Sequence, residues 1–171
     1  MLLAIDPGTE TGVAWCHNEG IINHTTWSLG PDRDDRSISL VDHLVDILRD
    51  ETCEHIGYEE PWHGPHVNVV ESLITSRAMI RYVARRLKIQ CSGYSPTEIK
   101  QSIAGGRATK DRMIATVKML GHHPANEHEA DAIALLLLMR TGARPMEKVR
   151  KVAARRQKSK VVDLFTRKAR A

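Results

Sequence analysis

Residues 1–16, MLLAIDPGTETGVAWC, decide how the rest of the chain is read. Met1 to Ile5 is a short apolar run with β-strand character, Asp6-Pro7-Gly8 is a turn signal, and Gly12 to Cys16 is a second apolar stretch, so the segment reads as a hairpin. Ile21 to Leu29, rich in Ile, Thr and Trp, adds a third antiparallel strand, which Gly30-Pro31-Asp32 ends. From Ser37 onward Ile38, Val41, Leu44, Val45 and Leu48 recur at helical spacing, and Ile56 to Glu59 returns to strand. Val69 to Leu87 is a long helix interspersed with Arg77, Arg81, Arg85 and Arg86. Ile89 to Tyr94 is a fifth strand, and Pro96 opens a short helix to about Ile103. After the loop Gly105-Gly106-Arg107 come two helices, Lys110 to Leu120 and Glu127 to Arg140, the second capped by Asn126. This order predicts an α/β fold, a mixed five-stranded sheet flanked by helices on both faces.

The composition bounds the function classes. Of 171 residues 42% are hydrophobic and 27% charged, ordinary for a globular domain, while only 4% are aromatic, which disfavours a single-strand binder built on base stacking. The net charge of +4 hides an asymmetry: residues 1–146 carry 15 Lys/Arg against 19 Asp/Glu, and residues 147–171 carry ten against two. The expected organisation is a folded domain over 1–145 and a basic tail over 146–171, drawn to an anionic polymer such as nucleic acid. No apolar run approaches the ~20 residues of a membrane span. The N-terminus MLLAIDPGTETG lacks the features of a secretory signal, so a cytoplasmic location is expected. Cys16, Cys53 and Cys91 are widely spaced without a C-x-x-C pair, which suggests small buried hydrophobes and neither disulfides nor a zinc knuckle.

Strand ends are where such sheets gather chemistry, and here the first strand ends in Asp6 and the fourth in Glu59-Glu60. Alternation along a strand lets only one of the two glutamates point inward. On the last helix His128 and Asp131 lie three residues apart, on one face. If that turn packs beside the strand ends, the four side chains converge into a set suited to hard divalent cations and phosphodiester hydrolysis. Each residue also has a plainer reading. Asp6-Pro7-Gly8 fits a simple turn, and Glu127, Glu129 and Asp131 suit the positive end of a helix. Asp131 is the hardest to explain so, because Ala130, Ala132, Ile133 and Ala134 surround it and a carboxylate on an apolar face is costly unless paired or metal-bound.

Taken together, LLAIDPGTETGVA, IGYEEP, YSPTEIKQSIAGGRATK and NEHEADAIAL resemble the RuvC-type Holliday-junction endonucleases of the ribonuclease H-like superfamily, over roughly residues 1–140. The resemblance implies a ribonuclease H-like fold and a catalytic, metal-binding set of Asp6, Glu59, His128 and Asp131, with Glu127 or Glu129 as further candidates. It implies two Mg²⁺ ions per site, with Mn²⁺ able to substitute and favoured somewhat by the imidazole. It assigns phosphate contacts to Lys100, Arg107 and Lys110, in keeping with a glycine loop that feeds a helix N-terminus. It makes Trp62, in the Pro/Gly/His-rich stretch of residues 62–68, a candidate junction wedge; His63 and His66 there fit a polar loop better than a zinc site. The long helix from Val69 matches the element through which family members form a two-fold dimer.

The expected activity is metal-dependent, symmetric paired nicking of four-way DNA by a homodimer. The small size, sparse aromatics and basic tail suggest a divergent, bacteriophage-encoded member acting in the host cytoplasm. The competing readings are a broader branched-DNA or flap nuclease, a non-cleaving branched-DNA binder, and an RNA-directed nuclease of the same fold.

Overall fold

The structure is a computed structural model that describes residues 1–18, 20–61, 67–106 and 108–142. The first half of the chain contributes β1 (Leu2–Asp6), β2 (Glu10–Cys16), β3 (Asn23–Ser28), α1 (Arg33–Asp50) and β4 (His55–Glu59). The second contributes α2 (Val67–Leu87), β5 (Gln90–Tyr94), α3 (Pro96–Ala104), α4 (Lys110–Met119) and α5 (Glu127–Arg140). The five strands form one sheet in the order β3-β2-β1-β4-β5. The first three are antiparallel neighbours, and β4 and β5 run parallel to β1, as the crossover helices require. The mixed α/β sheet expected from the sequence is therefore present. Among the described residues no helix is long and apolar enough to cross a membrane.

Side-chain alternation divides the sheet into two faces. Leu3, Ile5, Val13, Ile56 and Tyr58 face α1 and α2 and form one core with Leu40, Leu44, Leu48, Ile80 and Val83. Ala4, Ala14, Cys16 and Tyr94 belong to the other core, with Ile133, Leu135 and Leu136 of α5. This second face is paved with small residues. An added Cβ on Gly12 would run into the backbone carbonyl of His128, and one on Gly57 would meet the side chain of Met139, so α5 lies directly on β2, β1 and β4. Nine of the 14 residues of α5 are buried, on every side, because α3 and α4 cover the face that the sheet does not.

The differences from the sequence reading are local. α1 begins at Arg33, four residues before Ser37, because the Asp32 carboxylate accepts from the amides of Asp34 and Asp35 and so starts the helix in a stretch with no apolar periodicity. The third strand is shorter than Ile21 to Leu29: Ile21 is exposed, and Ile22 and Leu29 are buried outside the strand. Cys16 and Cys53 are buried as expected, but Cys91 is only half-buried.

Candidate active site

Period-2 alternation explains which carboxylates meet. Asp6 shares the α5-facing side of β1 with Ala4, and Glu59 shares that side of β4 with Gly57. The two strands are parallel neighbours in the register Ile5↔Tyr58, so their ends bring Asp6 and Glu59 side by side. Glu60 turns to the opposite face, where its Oε2 pairs with Arg77 Nη1 at 2.9 Å and its Oε1 accepts from the Tyr58 hydroxyl at 3.3 Å. That answers which of the two consecutive glutamates joins Asp6.

The third element is the first turn of α5, which starts where Asn126 Oδ1 accepts from the Glu129 amide at 3.0 Å. From this turn His128 Nδ1 approaches Asp6 Oδ2 at 3.7 Å and Nε2 approaches Glu127 Oε1 at 3.9 Å, so both ring nitrogens face carboxylates. The Asp6 carboxylate beside it raises the pKa of His128. Asp131, one turn on, is half-buried; burial and then the charge of Asp6 push its carboxyl up to about 6. Glu59 is affected more strongly. Burial, then Asp6, then Asp131 push it up to about 8, and the Lys100 ammonium acts in the opposite direction.

Asp6, Glu59 and Asp131 thus share one electrostatic field, with His128 at its edge. Among the described residues no three of these side chains stand ready-made in metal-holding geometry. Their chemistry nevertheless fits a hard divalent cation: three carboxylate donors and an imidazole, whose mutual repulsion a doubly charged ion would offset.

Two expected phosphate contacts lie at this site. Lys100 lowers both Glu59 and Asp131, and Lys110, paired with Glu127 at 2.7 Å, also acts on Asp131. Arg107, Trp62, His63 and His66 lie outside the described residues, as does the tail over 146–171. Of the two further acidic candidates, Glu127 stays near the site but is only half-buried and engaged by Lys110. Glu129 is buried and turned towards β3, bonded to His24. Sequence reasoning missed that partnership, and it missed the close approach of Gly12 to His128. The available signal for Glu129 was its place three residues after an Asn N-cap, the spacing of a capping pair.

The arrangement can be compared with known proteins. No family profile matches the chain. The crossover junction endodeoxyribonuclease RuvC of Anaeromyxobacter sp. (strain Fw109-5) is 31% identical over 163 residues, covering 88% of this chain and 79% of that protein. Among solved structures, Thermus thermophilus RuvC superimposes with a TM-score of 0.68 at 23% identity, covering 84% of this chain and 95% of that one. T. thermophilus RuvC in complex with a Holliday junction substrate gives 0.67 at 19%, covering 84% and 94%. The structural likenesses establish the fold, and the sequence relationship, which covers most of the chain, establishes more: the chain belongs to the RuvC family of crossover junction endodeoxyribonucleases.

Proposed function

We propose that this chain is a structure-selective endonuclease that resolves Holliday junctions, working as a homodimer whose two sites nick symmetric strands of four-way DNA. The observation that carries the reading is the convergence of Asp6, Glu59 and Asp131 in one field at the ends of two parallel strands and a helix. Family membership supplies the substrate class.

In this reading Asp6, Glu59, Asp131 and His128 hold divalent cations, Mg²⁺ with Mn²⁺ able to substitute. When bound, the cations supply activation of the attacking water and stabilisation of the leaving oxygen. The chain's own groups do the rest. Lys100, beside the half-buried carboxylates of Glu59 and Asp131, favours their ionised forms and draws the scissile phosphate towards them. Lys110 is exposed, so its pairing with Glu127 is weak enough to be exchanged for a phosphate oxygen. By resemblance to the family, Arg107 is assigned a further phosphate contact and Trp62 the role of junction wedge. Residues 1–145 form the nuclease domain, and the tail over 146–171 adds sequence-independent affinity for DNA in the cytoplasm.

The test is cleavage of a labelled synthetic four-way junction and a sequence-matched linear duplex, each with Mg²⁺, with Mn²⁺ and with chelator. Paired symmetric nicks in the junction alone, dependent on the cation, are expected. Binding without cleavage in either metal refutes the nuclease reading, and equal cleavage of both substrates refutes junction selectivity.

A further inference from the structure

We propose that Glu129 is a positioning residue, not a fifth ligand: its carboxylate fixes the first turn of α5 on β3 so that His128 and Asp131 meet Asp6 and Glu59. This rests on the catalytic reading of those four residues. Glu129 is 7% exposed, and both of its oxygens are engaged. Oε2 accepts from the Ala125 backbone N–H at 2.9 Å and bonds His24 Nδ1 at 2.7 Å, and Oε1 accepts from the Thr26 hydroxyl at 3.3 Å. Thr26 is joined to Asn126, whose Nδ2 donates to its Oγ1 at 2.8 Å, and Asn126 caps the same helix. Two strand residues, Glu129 of α5, its cap Asn126 and the preceding Ala125 therefore form one polar clamp.

The clamp sits on a single rung of the sheet. Thr26 of β3 pairs with Gly12 of β2, and Gly12 pairs with Asp6 of β1. Above this rung Asn126 and Glu129 hold Thr26, the His128 backbone rests on Gly12, and the His128 ring reaches towards Asp6. The rest of α5 offers no comparable marker of register. Its buried residues are Ala, Ile, Leu and Met on every side, an apolar surface that tolerates rotation or sliding over a floor of small residues. A fully satisfied buried polar contact specifies one placement where apolar packing alone does not.

The experiment compares Glu129→Leu, Glu129→Gln and the double variant His24→Ala/Thr26→Val with wild type and with Asp131→Asn. Three quantities are read below each variant's melting temperature: single-turnover cleavage, junction affinity in chelator, and the Mn²⁺ concentration giving half of the metal-induced rise in melting temperature. Glu129→Leu and the double variant are expected to lose about 10–100-fold in cleavage rate and to need about tenfold more Mn²⁺, the scale set by groups that orient metal ligands, with junction affinity unchanged. Glu129→Gln should restore both readouts, because its amide oxygen can accept from Ala125 and His24 while its nitrogen donates to Thr26. If Glu129→Gln is as inactive as Asp131→Asn, the negative charge itself is required, Glu129 is a ligand and the proposal fails. If Glu129→Leu and the double variant melt earlier yet cleave and take up Mn²⁺ as wild type does, the clamp is merely structural and the proposal fails likewise. Should Asp131→Asn cleave normally, the catalytic reading falls first, whatever the Glu129 variants do.

Discussion

Glu59 and Glu60 are consecutive in the chain and lie on opposite faces of the sheet. The first is half-buried beside Asp6 and Asp131, and the second is bonded to Arg77 and Tyr58. They should therefore answer differently to the same substitution. Glu59→Gln is expected to slow single-turnover junction cleavage by on the order of 10²–10³-fold, the scale of losing one group that stabilises the transition state. Glu60→Gln removes only a partly exposed pair and should stay within about 1 kcal/mol of wild type in both stability and cleavage. Comparable losses in the two variants would mean that the ligand has been assigned to the wrong face.

The raised carboxyl groups make stability depend on pH in a defined direction. Glu59 at about 8 and Asp131 at about 6 both bind their protons more tightly in the folded chain than in the unfolded one. On their account stability is greatest below the ordinary carboxylate range and falls as pH rises, the loss being complete once Glu59 ionises near pH 8. In chelator the melting temperature should decline from about pH 5 to about pH 8, and Glu59→Gln should flatten that decline. Adding Mn²⁺ or Mg²⁺ at the alkaline end should recover more stability in wild type than in Glu59→Gln. A wild-type curve that rises over this interval would contradict the account.

Two glycines under α5 should differ in their tolerance of a methyl group. At Gly12 the added Cβ meets the main-chain carbonyl of His128, which cannot move without displacing the helix turn. At Gly57 it meets the Met139 side chain, which can change rotamer. Gly12→Ala is expected to cost about 1–3 kcal/mol in denaturant unfolding and to impair cleavage. Gly57→Ala should cost less and leave the site in place.

Lys100 acts on both raised carboxyls. Removing its charge as Lys100→Met should push Glu59 and Asp131 further up, so the acid limb of the pH–rate profile moves to higher pH, by roughly 1 unit. An unmoved limb would place the lysine's role in DNA contact alone.

Truncation after Met146 removes ten Lys/Arg and two Asp/Glu. Junction binding should weaken, and the slope of log affinity against log salt should become shallower by about 0.9 for each phosphate that the tail neutralises in the full-length chain. An unchanged slope, measured by titration at several salt concentrations, would show that the tail makes no ionic bond to the junction.

Much of this architecture was legible because alternation and helical periodicity are local. Asp6 and Glu59 follow apolar strand residues directly, and His128 and Asp131 share a helix face by spacing alone. The pleat required that only one of Glu59 and Glu60 point inward, and the family resemblance, not the alternation, named Glu59. What stayed hidden depends on contacts between residues far apart in sequence. Glu129 looks like any acidic residue in a first helical turn until His24 and Thr26, more than 100 residues earlier, are brought beneath it. Gly12 reads as part of a strand end until the His128 carbonyl is seen against it. The early start of α1 was missed for a smaller reason: its first turn, Arg33-Asp34-Asp35-Arg36, is wholly polar, and the cue lay in the Asp32 cap.

Because α5 supplies both a buried core and two members of the proposed catalytic set, the site has no low-energy route to opening of its own. Local fluctuations release segments with few buried contacts, whereas a helix enclosed by the sheet and two neighbours lets its amides exchange with solvent only when the cooperative unit as a whole unfolds. Under the proposed assignment, Asp131 and His128 are thus mounted on a helix expected to be among the slowest-exchanging parts of the protein. Adaptation to different branched substrates must be carried by elements outside that unit, which can vary without disturbing the chemistry.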